Sequence, residues 1–307
     1  MTRIAVWKPG MRPLGRAVAA VGVFDGVHLG HQALIRDAVA IARTRDAASV
    51  VVTFDRDPDQ IVTPGSAAPQ LLDLDQKLSL LSDLAPDAII VMPFTPELGA
   101  TAPLVFLDEV LLDAMTPVTV VVGYDFRFGH RAEGDVDTLV RYGADHDFTV
   151  VAHELVSDGG APITSTRIRT LVASGDVEGA ARLLGRPHRV RGTVHHGRGA
   201  GAGIGFATAN LAVDAFAALP APAVYAGRVA VDGTPHPAAI SVGAPPTFPE
   251  ARDDFEVHVL DHDGDLYDAS LVVEFLARLR DQRAFDDVAE LTAAIAADVE
   301  QVRRIAG

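Results

Sequence analysis

The first half of the chain alternates short, β-branched apolar runs with stretches of helical periodicity. Runs at Val18–Phe24, Ser49–Phe54, Asp87–Met92, Pro117–Val122 and Asp147–Ala152 are brief, mostly apolar and bordered by Gly, Asp or Pro. Strands buried on both faces of a parallel sheet read this way. Between the first two runs, Leu29–Arg43 puts Leu34, Ile35, Ala38, Val39 and Ile41 on one broad apolar helical face. Strand–helix–strand order predicts right-handed crossovers and an α/β doubly wound parallel sheet. Ligands of such sheets bind beyond the C-terminal ends of the strands.

Two short helices follow. Ser165 can cap Thr166–Ser174, which Gly175 stops, and Asp176 can cap Val177–Leu184, which Gly185 stops. The pattern then changes to Arg189–His195, Ala223–Val231, Pro237–Val242, Phe255–Asp261 and Ser270–Leu276, strand-like runs separated by turns. Such runs predict a small antiparallel β-barrel. A last helix over about Asp287–Ile305 carries Val288, Leu291, Ile295, Val299 and Val302 on one face. The change of pattern near Gly185–Pro187 divides the chain into domains 1–186 and 187–307, and 307 residues suit two cores better than one.

Composition narrows the function classes. Cysteine is absent, which excludes disulfides, thiolate metal sites and thiol nucleophiles. The net charge of −15 argues against a nucleic-acid binder, which needs a basic face. The N-terminus lacks a signal-like apolar core and no run suits a membrane span, so the expectation is a cytoplasmic protein. A homo-oligomer is compatible with the sequence. The only lysines are Lys8 and Lys77, so arginine must supply most of any phosphate clamp.

The most informative string is Gly22-Val-Phe-Asp-Gly-Val-His-Leu-Gly-His31, where the first strand hands over to the first helix. Gly26 and Gly30 allow a tight turn and close approach of a ligand to the backbone. His28 and His31, three apart, share a helical face. Both can donate to phosphate oxygens at a helix N-terminus, where the amides already favour negative charge. A capped helix with two surface histidines is the plainer reading. Zinc ligation is another, although no further ligands are obvious nearby.

The string resembles the H-x-G-H signature of the nucleotidyltransferase superfamily, in the form found in bacterial bifunctional riboflavin kinase/FMN adenylyltransferases. Thr53-Phe-Asp, Gly123-Tyr-Asp-Phe-Arg-Phe-Gly129 and Ile163-Thr-Ser-Thr-Arg-Ile-Arg169 agree with that family in the same order. The resemblance implies a Rossmann-like domain in which His28 and His31 are catalytic. It puts Gly22, Phe24, Asp25, Gly26, Gly30, Ser165, Thr166 and Arg169 around ATP, with Asp125 and Phe128 near the flavin. By its residues alone Phe128 could equally be core. Where the family usually shows Pro-His-Pro after Thr53-Phe, this chain has Arg56-Asp-Pro58.

The barrel region resembles the family's riboflavin kinase module through Gly192-Thr-Val-His-His-Gly197, Gly205-Phe-Ala-Thr-Ala-Asn210, Gly243-Ala-Pro-Pro-Thr-Phe248, Phe255-Glu-Val-His258 and Asp265-Leu-Tyr267. Glycines 197, 199, 201, 203 and 205 suit a loop that closes over a phosphate. The resemblance implies that Thr208 and Asn210 hold Mg²⁺ with ATP and that Glu256 is the base for the flavin hydroxyl. Ala202, Ala207, Ser241 and Asp268 stand where the family usually has arginine, proline, asparagine and glycine. These departures predict a kinase slower than the adenylyltransferase. The expected activity is FAD biosynthesis: riboflavin and ATP give FMN, then FMN and ATP give FAD and pyrophosphate. Two alternatives stay open. One is a monofunctional FMN adenylyltransferase with a degenerate kinase barrel; the other is a non-catalytic flavin-nucleotide sensor.

Overall fold

The computed structural model describes residues 1–8, 10–11, 14–196, 206–243 and 255–307. Contacts divide the chain into two compact units, Met1–Thr164 and Ser165–Gly307.

The first unit is built on six strands: β1 (Arg3–Val6), β2 (Arg16–Val21), β3 (Ala48–Phe54), β4 (Ala88–Met92), β5 (Thr116–Gly123) and β6 (Thr149–His153). All pair in parallel, in the order β1-β4-β3-β2-β5-β6. The chain therefore steps from β2 one way to β3 and later the other way to β5. A crevice opens at such a reversal, at the C-terminal ends of the strands. Helix α1 (Leu29–Thr44) buries Leu34, Ile35, Ala38 and Ala42 against one face of the sheet. The other α-helices among the described residues of this unit are α2 (Asp59–Val62), α3 (Leu74–Asp83), α4 (Pro96–Gly99), α5 (Pro103–Leu107) and α6 (Val136–Asp145). A small hairpin, β7 (Ser157–Asp158) with β8 (Ala161–Pro162), closes the unit.

Four of the five apolar runs differ from their strands by one or two residues at an end. The first differs more usefully. β2 stops at Val21 rather than Phe24, because Phe24 takes a positive φ of 54° and leaves the extended region. The edge strand β1 escaped the sequence reading, since it is short and leaves Ile4 and Val6 exposed.

The second unit opens with α7 (Ser165–Ser174) and α8 (Val177–Leu184). The Asp176 side chain accepts from the Gly179 amide at the start of α8, and Gly185 ends it in the left-handed region with φ 73°. Six antiparallel strands follow: β9 (His188–His195), β10 (Ala209–Val213), β11 (Ala223–Val231), β12 (Thr234–Val242), β13 (Phe255–Val259) and β14 (Ser270–Arg280). They close into a barrel in the order β10-β13-β12-β11-β14-β9. Alternation along each strand sends Val190, Leu211, Tyr225, Ile240, Val257 and Phe275 into one apolar interior. Val177 of α8 joins that cluster, so the helix pair groups with the barrel although the sequence pattern changes only after it.

The last helix, α9 (Val288–Ala306), is capped by Asp287, whose carboxylate accepts from the Glu290 amide. Val299, Val302 and Ala306 pack on Ala226 and Leu260, while Val288, at the open end of the helix, is exposed. Arg280 of β14 holds the buried Asp298 of α9 through two nitrogens, Nε at 3.0 Å and Nη2 at 2.7 Å.

His188 makes the barrel sensitive to acid. Its Nε2–H donates to the Ala218 carbonyl at 2.7 Å, and burial lowers its pKa from 6.5 to about 4. The unfolded chain takes up the proton first, so this stabilisation is complete above pH 6.5 and is lost as pH falls towards 4. The expected loss across that window is roughly 3 kcal/mol from this residue. Chemical denaturation at a series of pH values should show it, and His188→Gln should flatten that part of the profile.

Candidate functional site

The His28–His31 string lies where the topology predicts a ligand crevice, at the C-terminal end of β2 between β3 and β5. Three residues of the turn take positive φ: Phe24 at 54°, Gly26 at 82° and Val27 at 38°. A β-branched residue there is strained, and such strain concentrates at functional sites. The buried apolar side chains of Phe24 and Val27 hold the turn down. Asp25 points inward, its carboxylate accepting from the Leu71 amide at 3.0 and 3.1 Å.

His28 caps α1: its Nδ1 accepts from the His31 amide at 3.2 Å. That bond puts the proton of a neutral ring on Nε2. The two imidazoles stack at 3.5 Å between centroids with an 18° tilt, and the Phe24 ring meets His31 edge-on at 5.3 Å. Gly30 makes room for this arrangement, because a Cβ there would lie 3.1 Å from the His28 ring and 3.7 Å from the Ile163 carbonyl. His28, His31, Phe24, Gly26 and Gly30 thus form one constellation. Among the described residues no group of three or more His, Cys, Asp or Glu could hold a metal, so nothing extends the histidine pair into a zinc site.

Beside the turn, at the ends of β3 and β5, is a cavity of about 300 Å³. Val23, Phe54, Phe94, Phe106 and Phe126 supply apolar walls, and Arg127 and Arg131 are also among its lining residues. This size and lining suit a flat aromatic ligand. Neither flavin candidate from the sequence lines it. Asp125 is exposed just beyond β5, and Phe128 is 4% exposed, stacked behind Phe106 at 5.7 Å and Phe126 at 5.4 Å. Pro58, the residue that the altered Arg56-Asp-Pro58 segment keeps from the family's pattern, does line it. The aromatics come from separate segments: Phe54 ends β3, Phe94 and Phe126 follow β4 and β5, and Phe106 sits in α5, so no single local pattern groups them.

In the second unit, Ser165, Thr166 and Arg169 open α7, with Thr166 exposed and the other two half-buried. The barrel carries the second constellation on its outer face. Register places Ser241 of β12 opposite Glu256 of β13, Glu256 opposite Asn210 of β10, and Asn210 opposite His195 of β9. Directly paired residues share a face with Cβ atoms about 5 Å apart, while Phe255 and Val257 point inward. Asn210 is 5% exposed, and its Oδ1 makes no hydrogen bond among the described residues. Thr208 precedes β10 directly.

Three of the departures from the family pattern have local explanations. The carbonyl of Ala207 accepts from His258 Nδ1 at 2.7 Å, and Phe206 packs edge-on to the same imidazole at 5.6 Å. Gln282 Nε2 donates to Ser241 Oγ at 3.0 Å, to the Val242 carbonyl at 2.9 Å and to the Gly243 carbonyl at 3.1 Å. Asp268 has a φ of 61°, a conformation glycine takes freely and aspartate tolerates. Ala202, with the glycine loop 197–205 and the 244–248 segment, lies outside the described residues.

Known proteins match both halves of the chain. Residues 12–167 match the FAD synthetase family and residues 184–306 the riboflavin kinase family. A bifunctional riboflavin kinase/FMN adenylyltransferase from Pseudomonas fluorescens is 36% identical over 96% of this chain and 95% of its own. One from Listeria monocytogenes is 34% identical over 93% and 91%. A solved structure from Streptococcus pneumoniae, described as a macrolide-efflux protein, matches with a TM-score of 0.86 and 30% identity over 98% of both chains. No helix among the described residues of this chain is long and apolar enough to cross a membrane. With both family matches in sequence order and such relatives covering nearly its whole length, the chain belongs to the bifunctional riboflavin kinase/FMN adenylyltransferase family.

Proposed function

We propose that this chain phosphorylates riboflavin to FMN in its barrel and adenylylates FMN to FAD in its parallel-sheet half, with the functional division at 186/187. The observation that carries the reading is that one chain holds two separate constellations, each inside the matching family region.

In the adenylyl transfer, a phosphate oxygen of FMN bonds to the α-phosphorus of ATP as the bond to the bridging oxygen breaks and pyrophosphate leaves. The flavin ring takes the aromatic cavity. His28 Nε2–H and His31 donate to the phosphate oxygens where charge develops, at the N-terminus of α1. Gly22, Phe24, Asp25, Gly26 and Gly30 shape the turn that presents them. Ser165, Thr166 and Arg169 are assigned to phosphate binding, which suits a helix N-terminus followed by arginine. Asp125 and Phe128 act on the flavin indirectly: Phe128 backs the aromatic wall, and Asp125 follows the strand end.

In the kinase, Glu256 takes the proton of riboflavin's terminal hydroxyl as that oxygen bonds to the γ-phosphorus of ATP and ADP leaves. Thr208 and Asn210 would hold Mg²⁺, and a buried amide oxygen with no hydrogen-bond partner among the described residues fits such a hard cation. The ion supplies neutralisation of phosphate charge. His258 holds the backbone just before Thr208, and Gln282 holds the end of β12 beside Glu256, at the points where the family uses proline and asparagine. That support favours a working kinase over a degenerate one.

The direct test is incubation with riboflavin, ATP and Mg²⁺, with a parallel run from FMN, followed by separation of the flavins. Both FMN and FAD are expected from riboflavin. FAD from FMN alone would leave a degenerate barrel, and no product in either run would leave a sensor. Changing His28 and His31 to alanine should abolish FAD formation while sparing FMN formation. Retention within about tenfold, some ~1.4 kcal/mol of barrier, would refute that assignment. Glu256→Gln should lower riboflavin phosphorylation by roughly 10²-fold or more and leave FAD formation from FMN unchanged, as steady-state rates would show. Because Ala207 and Ser241 are already held, Ala207→Pro with Ser241→Asn should change phosphorylation by less than about threefold. A large gain in kcat would restore the slow-kinase expectation.

A further inference from the structure

Lys77, on α3, is one of the chain's two lysines. It is 6% exposed, and its Nζ donates to the Phe54 carbonyl at 2.7 Å and to the Val23 carbonyl at 3.3 Å. Thr53 Oγ1 donates to the same Val23 carbonyl at 3.0 Å. Val23 and Phe54 both line the aromatic cavity, and Val23 immediately precedes the strained turn that ends at His28. Helix α3 is well placed to hold the ammonium still, since its start is locked by the reciprocal Asp73–Gln76 capping box.

We infer that Lys77 is a positioning residue for adenylyl transfer: its ammonium ties the wall of the flavin cavity to the root of the phosphate-binding turn. The inference rests on the FMN adenylyltransferase reading above and deepens it. Parallel strands point their last carbonyl dipoles, negative end outward, at the crevice where phosphates must bind. The Phe54 carbonyl, at the end of β3, and the Val23 carbonyl, two residues past the end of β2, both end on this single cation. A charged donor holds them more firmly than a neutral one and offsets their repulsion of an anion. The groups facing the ammonium are Asp25 in the turn and Asp55 and Asp57 after β3, which favour its charge. Burial outweighs them and lowers its pKa from 10.5 to about 8. A buried lysine is costly to keep, and a methionine of similar length would fill the same space without that cost.

The test compares the full-length wild type with Lys77→Met and Lys77→Arg from about pH 6.5 to about pH 9.5. FMN binding is read from quenching of flavin fluorescence without ATP, alongside KM for FMN and kcat of FAD formation. Riboflavin phosphorylation serves as the internal control. Lys77→Met should weaken FMN binding and raise KM by about tenfold or more, with phosphorylation unchanged. Wild-type FMN affinity should decline around pH 8 as the ammonium loses its proton, whereas the methionine variant should lack that step. Lys77→Arg keeps donors and charge, so it should recover most of the affinity and also lack the step. Wild-type FMN affinity in Lys77→Met, the same alkaline step in it, or equal impairment of both variants would overturn the inference. Should Lys77→Met not fold, the arginine variant and the wild-type pH profile decide. A wild type that forms no FAD defeats the functional reading, while the FMN-binding arm still tests Lys77.

Discussion

Between the end of β2 at Val21 and the start of α1 at Leu29, the chain must leave a buried parallel strand, reverse, and enter a helix that packs back on the same sheet. A right-handed crossover leaves few backbone routes for so short a link. The route taken uses positive φ at Phe24, Gly26 and Val27, and buries Phe24 and Val27 to hold it. Everything proposed for adenylyl transfer hangs on that constraint. It aims the α1 N-terminus into the crevice, puts His28 at the cap position, and stacks His31 on it. The same reversal of strand order brings the ends of β3 and β5 alongside, which is where the aromatic cavity forms.

The barrel obeys a different constraint, the two-residue alternation of a closed antiparallel sheet. Phe255 and Val257 must face the interior, so Glu256 faces out. Register then sets Glu256 between Ser241 and Asn210. A slip of one residue would drive the carboxylate into the core and expose phenylalanine, so packing of the interior enforces the geometry of the outer face. The outer row is in turn propped by His258 on Ala207 and by Gln282 on Ser241, side chains that carry no chemistry in the proposed reactions.

Much of this was legible because it is local. Five of the six parallel strands showed as apolar runs, α1 as a helical stripe, α8 through its Asp176 cap and Gly185 stop, and the histidine turn as a spaced glycine string. The strand β10 was not legible as a strand, because only Leu211 and Asn210 are buried and a glycine-rich segment precedes it. Phe128 carried the family's pattern but supports the cavity wall from behind, a distinction that depends on what Phe106 and Phe126 do.

The sequence by itself determined the two architectures, the order of the motifs and the kind of chemistry at each site, since periodicity, caps and turn residues act over a few positions. Tertiary structure alone decided which distant residues share a site. The aromatic walls come from segments scattered between Val23 and Arg131. Lys77 reaches two carbonyls that lie 23 and 54 residues away along the chain, and Glu256 meets Asn210 only across a strand pair. Those neighbours are chosen by sheet order, register and the filling of a core, and no local pattern encodes them.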